Sequence, residues 1–255
     1  MAEPVIQLSG IEKRYGAHTA LAGVSLEVAA GEFVALVGGS GSGKTTLLKT
    51  INGLAQPEEG TVRAAGEAVG AAPGWALRRR IGYVFQEVGL FPHMSVAENI
   101  AVTPRLLGWP AARIAARVDQ LLDLVALPRD MGARRPAALS GGQRQRVGVA
   151  RALAAEPTLM LMDEPFGALD PLTRDALGGD YRALHERLGL TTVMVTHDMA
   201  EAVLLADRIV VLQAGRVVAD GAPRDLLAAE ADPEVRALIE APRRQAERLQ
   251  ARFGP

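Results

Sequence analysis

The glycine-rich stretch GGSGSGKTT at positions 38–46 constrains the fold more than any other part of the sequence. It follows the apolar run EFVALV and precedes a helical pattern that extends from Lys44 to about Leu54. A buried strand that turns through glycines into a helix is the repeating unit of parallel α/β sheets. We therefore expect an α/β fold in which this loop lies at the carboxyl end of a buried strand.

The spacing of this loop matches the phosphate-loop pattern: a glycine, four residues, a second glycine, a lysine and a threonine. In such loops backbone N–H groups face the β-phosphate, the lysine reaches the β- and γ-phosphates, and the hydroxyl, here that of Thr45, ligates Mg²⁺. The alternative, a glycine-rich turn with a chance lysine, is disfavoured by the flanking strand and helix. The residues expected to bind the nucleotide are Gly38, Gly39, Ser40, Gly41, Ser42, Gly43, Lys44, Thr45 and Thr46.

The remaining sequence alternates strand and helix patterns, which predicts a parallel or mixed sheet. Strands are expected at 4–9, 24–28, RIGYVFQ, TLMLMDE, TTVMVTH and RIVVLQAGRVVA, and helices at about 171–187 and 199–206. The helical run between Gln86 and Ser140 interrupts the alternation and predicts an inserted subdomain. The expected fold class is α/β, with a phosphate-loop (RecA-like) NTPase core, an N-terminal antiparallel β subdomain and this helical insertion.

The chain is expected to form one domain over 1–255, because 255 residues provide a sizeable core. We assign about 1–87 and 152–231 to the nucleotide-binding core, about 88–151 to the helical subdomain and about 232–255 to a terminal helix. A net charge of −1 gives no electrostatic support for a nucleic-acid partner. The absence of cysteine excludes disulfides and thiolate zinc sites. No signal peptide and no membrane-spanning apolar run is visible.

Five further residues lie where ligands bind in a parallel sheet or in a turn beside it. The strand LMLMDE ends in Asp163, a candidate for holding Mg²⁺ through water, and Glu164, a candidate for polarising the attacking water. Gln86 and His197 end two other predicted strands, where they could reach the metal or water and the γ-phosphate, respectively. Tyr15 could stack on adenine. Taken singly, each of these residues also fits an ordinary structural role.

The stretch ALSGGQRQRVGVARA places two glycines at the start of an otherwise regular helix, at a cost of roughly 1 kcal/mol each relative to alanine. Ser140 is a natural N-cap for this helix. A helix start with bare backbone N–H groups is an anion site. The sequence thus predicts a second anion-binding element far from the phosphate loop.

Together GGSGSGKTT, Gln86, LSGGQ, LMDEP, GALD and VTHD resemble the ATP-binding subunits of ABC transporters over about residues 4–225. The resemblance implies that ATP and Mg²⁺ are the cofactors and that two subunits pair head to tail. Glu164 would be the general base, His197 the γ-phosphate switch, Gln86 the coupling residue and Tyr15 the adenine-stacking ring. The residues implied to cap the partner's ATP or to line the dimer seam are Ser140, Gly141, Gly142, Gln143 and Asp170.

A finer resemblance, carried by LRRRIGYVFQEVGLFPHMSVAENIA and PRLLGW, is to importers of quaternary-amine osmoprotectants such as glycine betaine, choline and carnitine. It implies permease subunits as partners, a solute-binding protein as an indirect partner, and a location on the cytoplasmic face of the cell membrane. Phe91, His93 and Met94 would contact the permease, although GLFPHM could equally be a packing loop. An importer of another solute, an amino acid, sulfonate or nitrate, and, less favoured, a non-transport ATPase are the alternatives.

Overall fold

The computed structural model describes residues 4–227 and 233–253 of the chain. Its strands are β1 Ile6–Tyr15, β2 His18–Val28, β3 Phe33–Val37, β4 Glu59–Ala64, β5 Glu67–Ala68, β6 Ile81–Val84, β7 Leu159–Asp163, β8 Thr191–Val195, β9 Arg208–Gln213 and β10 Arg216–Gly221. Its α-helices are α1 Lys44–Ile51, α2 Gly74–Arg78, α3 Val96–Leu106, α4 Ala111–Leu124, α5 Gly141–Leu153, α6 Pro171–Leu188, α7 Met199–Leu205, α8 Pro233–Ile239 and α9 Ala241–Phe253.

The larger sheet has six strands in the order β10-β9-β3-β8-β7-β6, and all neighbours are parallel except the edge pair β9–β10. Every residue of β3 is buried. Phe33, Ala35 and Val37 face the helical side, while Val34 and Leu36 face the N-terminal sheet and α1. This burial on both faces explains the uninterrupted apolar run before the glycine loop.

The smaller sheet, in the order β2-β1-β4-β5, is antiparallel and covers one face of the larger sheet. The predicted α/β class, with a mixed sheet and an N-terminal antiparallel unit, is confirmed. The predicted strand limits 4–9 and 24–28 are wrong, because β1 and β2 continue to a tight turn between Tyr15 and His18. Irregular pairing along β1 and β2 hides the simple alternation that the sequence interpretation required.

The helical segment between β6 and β7 contains α3, α4 and α5 together with two short 3₁₀ helices. Ser95 and Glu98 form a reciprocal capping box that begins α3. On α4, Val118, Leu121 and Leu122 are buried against the rest of the helical core, as the periodicity predicts. The segment therefore packs through one apolar face.

Three predicted strands end earlier than expected. β6 ends at Val84, β7 at Asp163 and β8 at Val195, so Gln86, Glu164 and His197 lie in the loops that follow. The chain turns sharply at Glu164, whose φ is +45° and whose N–H donates to the Val195 carbonyl.

The C-terminal segment also differs from its prediction, because α8 and α9 replace a single helix. Residues 1–3, 228–232 and 254–255 of the predicted segments lie outside the described residues. In the described ranges, no helix has both the length and the apolarity needed to cross a bilayer.

Helix α6 is fixed to the sheet by a buried aromatic and polar cluster. The Phe33 ring lies 5.9 Å from the Tyr181 ring and 5.1 Å from the His185 ring. Thr192 Oγ1 is 2.9 Å from the Tyr181 hydroxyl and 3.0 Å from His185 Nδ1. Burial, assisted by the charge of Arg182, lowers the pKa of His185. Folding therefore favours the neutral form of His185.

We expect this lowered pKa to make the protein less stable in mild acid. Below roughly pH 6.5 the unfolded chain protonates this histidine while the folded chain does not, so stability falls as the pH drops. The melting temperature of wild type should decline below that pH, and His185→Gln should decline less. His93→Gln, at an exposed histidine, serves as the control. If the melting temperatures of wild type and His185→Gln declined equally as the pH fell, this assignment would be contradicted.

Candidate nucleotide site

A cavity of about 400 Å³ brings most of the predicted site residues together. The phosphate loop forms one wall through Ser40, Gly41, Ser42, Gly43, Lys44, Thr45 and Thr46. Tyr15 lies at one end, and Glu164 and His197 also line the cavity. The chain segments meet here because β3, β7 and β8 are neighbouring parallel strands whose carboxyl ends share one edge of the sheet.

The loop needs glycine at two positions where the backbone approaches neighbouring strands. A Cβ on Gly38 would lie 2.1 Å from the Leu212 carbonyl oxygen, and one on Gly43 would lie 2.4 Å from the Ala20 carbonyl oxygen. Both residues have positive φ, at +145° and +104°. Gly39 has open space around it, so packing in this chain does not require glycine there.

Lys44 is buried and its ammonium group is held by the loop itself. Its Nζ donates to the carbonyl oxygens of Gly38 at 2.8 Å and Gly39 at 2.9 Å. Burial lowers the pKa of Lys44, while the charges of Glu164 and Asp163 oppose that shift. A cation held in this way is positioned for a polyanion that enters the cavity.

Thr45 and Asp163 are the residues that fit a magnesium ion. Thr45 Oγ1 donates to Asp163 Oδ1 at 3.0 Å, so the two oxygen groups already converge. Burial raises the pKa of Asp163, and the Thr45 hydrogen bond partly offsets this. Hydroxyl and carboxylate oxygens are the hard ligands that Mg²⁺ takes. A bound Mg²⁺ would neutralise phosphate charge and favour the ionised form of Asp163.

Glu164 is held by two side chains that come from other strand ends. Gln86 Nε2 donates to Glu164 Oε2 at 3.0 Å, and His197 Nδ1 lies 3.1 Å from the same oxygen. His197 Nδ1 can donate to this oxygen when it carries the ring proton, because an ionised carboxylate only accepts. The positive φ of Glu164 is a strained conformation for a non-glycine residue, of the kind that occurs at functional sites. The three predicted catalytic residues thus form one hydrogen-bonded cluster.

The sequence interpretation missed two residues of the cavity, His18 and Ala20. His18 pairs directly with Tyr15 across the β1–β2 turn, so both side chains project to the same side of the hairpin. The Lys13 ammonium lies 5.3 Å from the centre of the Tyr15 ring, which is 52% exposed. The signal that could have revealed His18 was the register of the β1–β2 hairpin, which the sequence interpretation did not predict because it ended the first strand at residue 9.

The residues predicted to cap a partner's ATP, Ser140, Gly141, Gly142 and Gln143, are named the signature residues, and they do not line this cavity. Ser140 Oγ accepts from the Gln143 N–H at 3.3 Å, and Gln143 Oε1 accepts from the Ser140 N–H at 2.9 Å. This capping box leaves the N–H groups of Gly141 and Gly142 without an acceptor among the described residues. Asp170 caps the next helix, α6, through Thr173.

The two signature glycines, Gly141 and Gly142, differ in whether packing within the chain requires a glycine. A Cβ on Gly142 would lie 2.7 Å from Thr173 Cγ2, so close packing of α5 on α6 requires this glycine. A Cβ on Gly141 would make only an ordinary contact, 3.7 Å from Leu169 Cδ2. Packing within this chain therefore leaves Gly141 unexplained, as expected if a ligand from outside the chain approaches its backbone.

The fold and the loop geometry define a phosphate-loop NTPase. The family model described as "ABC transporter" matches residues 21–167. A glycine betaine uptake system ATP-binding protein of Escherichia coli K12 is 49% identical over 91% of this chain and 75% of its own length. A choline transport ATP-binding protein of Bacillus subtilis 168 is 49% identical over 92% of this chain and 62% of its own length.

Another similar protein is named for a different solute. A sulfate/thiosulfate import ATP-binding protein of Caulobacter vibrioides is 49% identical over 86% of this chain and 65% of its own length. A solved structure, the dimeric post-hydrolysis state of the ATP-binding cassette MJ0796 bound to ADP and Pi, superposes with a TM-score of 0.77. It is 33% identical and the match covers 85% of this chain and 98% of that one. The chain belongs to the ABC transporter family, which confirms the resemblance drawn from the sequence.

The two signature glycines should respond oppositely to alanine. Gly141→Ala should stabilise the protein by about 0.4–1 kcal/mol, because its φ and surroundings accept a side chain. Gly142→Ala should destabilise it by about 1–3 kcal/mol, because the β-branched Thr173 cannot turn aside easily. Urea unfolding measures both. Thr173→Ser removes the obstructing methyl group and should restore Gly142→Ala; failure to do so would assign the glycine another role.

Proposed function

We propose that the chain is the ATP-binding and ATP-hydrolysing subunit of an ABC importer. The observation that carries this proposal is the cavity that is lined by the phosphate loop, including Thr45, and by Glu164, with Asp163 hydrogen-bonded to Thr45. The loop N–H groups and Lys44 bind the triphosphate, Tyr15 stacks on adenine, and Thr45 with Asp163 holds Mg²⁺. Membership of the family supports these assignments.

Glu164 is proposed as the general base. Its carboxylate accepts a proton from the attacking water, while Gln86 and His197 hold Oε2 from two sides. Gln86 is further proposed to approach Mg²⁺ or that water. His197 cannot donate to a γ-phosphate through Nε2 in its neutral Nδ1–H form. It must either release Glu164 or take up a second proton, which makes this contact a switch that responds to the nucleotide.

The active unit is proposed to be a head-to-tail homodimer. Ser140, Gly141, Gly142 and Gln143 lie outside the chain's own cavity. Gly141 is exposed, and its N–H has no acceptor among the described residues. They would cap the γ-phosphate on the other subunit, with Asp170 along the seam. The dimeric, ADP- and Pi-bound state named for a structural neighbour supports this arrangement. Hydrolysis removes the anion and the dimer opens.

The permease is proposed to dock in a groove of about 290 Å³ between the core and the helical subdomain. Phe85, Phe91 and Leu54 line the groove and are each about half exposed. Asn99 is fully buried and bonds to the backbone of Phe91 at N–H and carbonyl, which fixes the turn carrying Phe91 and the adjoining His93 and Met94. An exposed apolar surface on a fixed support suits a partner subunit.

The transported solute is proposed to be a quaternary-amine osmoprotectant such as glycine betaine or choline, delivered to the permease by a solute-binding protein. The names of the glycine betaine and choline relatives support this, and so does the finer sequence resemblance. The subunit would then lie on the cytoplasmic face of the membrane. The equally similar sulfate/thiosulfate relative keeps an importer of another solute as the second candidate.

Glu164→Gln should retain ATP binding and lose catalysis. We expect turnover to fall about a hundredfold or more, the scale of a lost general base, and Mg-ATP to shift the variant from monomer to dimer in size exclusion. Lys44→Ala should instead lose ATP affinity and closure. Glu156→Gln is the matched control, since Glu156 also has positive φ, +57°, but lies outside the cavity. Wild-type turnover in Glu164→Gln would remove Glu164 from the role.

The solute assignment is tested by uptake. The chain is expressed in Escherichia coli cells whose glycine betaine uptake system lacks its own ATP-binding protein. Uptake of labelled glycine betaine should rise above that with Glu164→Gln, because only the hydrolysing subunit drives transport. In a parallel strain that lacks the sulfate ATP-binding protein, labelled sulfate uptake should stay at background. Restoration of sulfate uptake alone would favour the second candidate.

A further inference from the structure

The loop that carries Gln86 has few anchors of its own. In the described part of the chain, residues 85–90 make no backbone–backbone hydrogen bond, and 85–87 are exposed. Among the described residues, the backbone groups of this loop that bond to a side chain are the carbonyls of Val88 and Gly89, and both bond to Arg151. Arg151 of α5 therefore provides the side-chain hydrogen bonds that hold the backbone of this loop.

Arg151 holds these carbonyls with both arms of its guanidinium. Nη1 donates to Gly89 at 2.7 Å and Nη2 donates to Val88 at 2.6 Å. Arg151 makes no ion pair with the described carboxylates, and burial alone lowers its pKa. Placing an unpaired cation in a half-buried position is costly, and the planar fork that grips two successive carbonyls is what compensates for it.

A second contact joins the same loop to the same helix. A Cβ on Gly148 would lie 2.6 Å from Val88 Cγ1, so the valine packs against bare helix backbone. Glycine inside a helix costs roughly 1 kcal/mol relative to alanine. Its φ is not positive, so the helix itself does not require it. The close approach of Val88 is the structural reason for glycine at this position.

These contacts connect two distant parts of the proposed mechanism. Gln86 is two residues from Val88 and bonds to Glu164 in the nucleotide cavity. The helix α5 begins at Gly141, directly after the signature Ser140. A helix transmits displacement along its length as a rigid element. A shift of Gln86 that follows the nucleotide is thus carried through Val88 to α5 and its signature end.

We propose that Arg151 and Gly148 form a clamp that makes the Gln86 loop and the signature helix move as one unit. Both are positioning residues, since neither lines the nucleotide cavity. This inference rests on the proposed ATPase function. Without the clamp, ATP binds normally to the phosphate loop, but occupancy of the γ-phosphate site no longer sets the position of the signature residues.

The first experiment uses a clash and its relief. In Gly148→Ala the kcat for ATP should fall about 3- to 30-fold, with KM changed less than about twofold. The melting temperature should fall less than in Gly142→Ala, because Val88 lies on a loop without backbone–backbone hydrogen bonds in the described residues and can be displaced, whereas Thr173 lies on helix α6. Val88→Ala in the same chain removes Cγ1 and should restore kcat to within about twofold of wild type. Gly179→Ala is the control, because a Cβ there meets open space. Wild-type kcat in Gly148→Ala, or no recovery in the double variant, overturns the clamp.

The second experiment compares Arg151 with a control arginine, Arg117. Arg117 donates to the carbonyls of Leu153 and Ala154 at the end of α5, and burial also lowers its pKa, but it does not contact the loop. Arg151→Met should lower kcat by the factor given above and speed amide hydrogen exchange across residues 86–92. Arg117→Met should do neither. Arg151→Lys keeps the charge but not the fork, and should resemble Arg151→Met. Equal effects of the two methionine variants would show a structural role only.

These assays distinguish a failure of the proposed ATPase function from a failure of the clamp. If wild type neither binds nor hydrolyses ATP, the proposed function fails. Hydrogen exchange then still decides the clamp, since Gly148→Ala should loosen residues 86–92 and added Val88→Ala should tighten them again without nucleotide. If wild type hydrolyses ATP and exchange in that loop is the same in all variants, the clamp fails and the proposed function stands.

Discussion

The close approach of the glycine loop to two neighbouring strands is the constraint on which the rest of the site depends. Gly38 lies against the Leu212 carbonyl of β9 and Gly43 against the Ala20 carbonyl of β2, so both sheets fix the loop. A side chain at either position would push the loop out of its place. Because Lys44 bonds to loop carbonyls and Thr45 bonds to Asp163, this fixed backbone also sets the cation and the metal-binding oxygens.

The chemistry at the other side of the cavity follows from parallel strand order. Gln86, Glu164 and His197 follow β6, β7 and β8, whose carboxyl ends meet at one edge. The sequence could predict this convergence, because polar residues after apolar runs are recognisable and the parallel arrangement follows from alternating patterns. It could not predict that Gln86 and His197 share one oxygen of Glu164, because that depends on the turn at Glu164 and its positive φ.

Other features were outside the reach of sequence patterns for identifiable reasons. His18 enters the cavity through its pairing with Tyr15, and irregular pairing along β1 concealed that register. Gly142 packs against Thr173 and Gly148 packs against Val88. The reason for a glycine at each position is therefore visible only in the folded chain. A glycine in a helical pattern indicates that another part of the chain packs close to the helix backbone. The sequence pattern does not say which residue that is. The signature helix, the phosphate loop and the parallel arrangement of the strands were predictable; the pairwise contacts were not.

The structure also explains why one chain holds only part of the proposed site. The capping box between Ser140 and Gln143 satisfies the first donors of α5 internally and leaves those of Gly141 and Gly142 open. Open donors at a helix start attract an anion, yet the chain's own phosphate loop forms a different cavity. In the proposed homodimer, the nucleotide bound to a second copy would provide that anion. In that dimer the Arg151 clamp would let each subunit respond to the nucleotide of the other. The reason is that α5, the helix with the open donors, also holds the Gln86 loop.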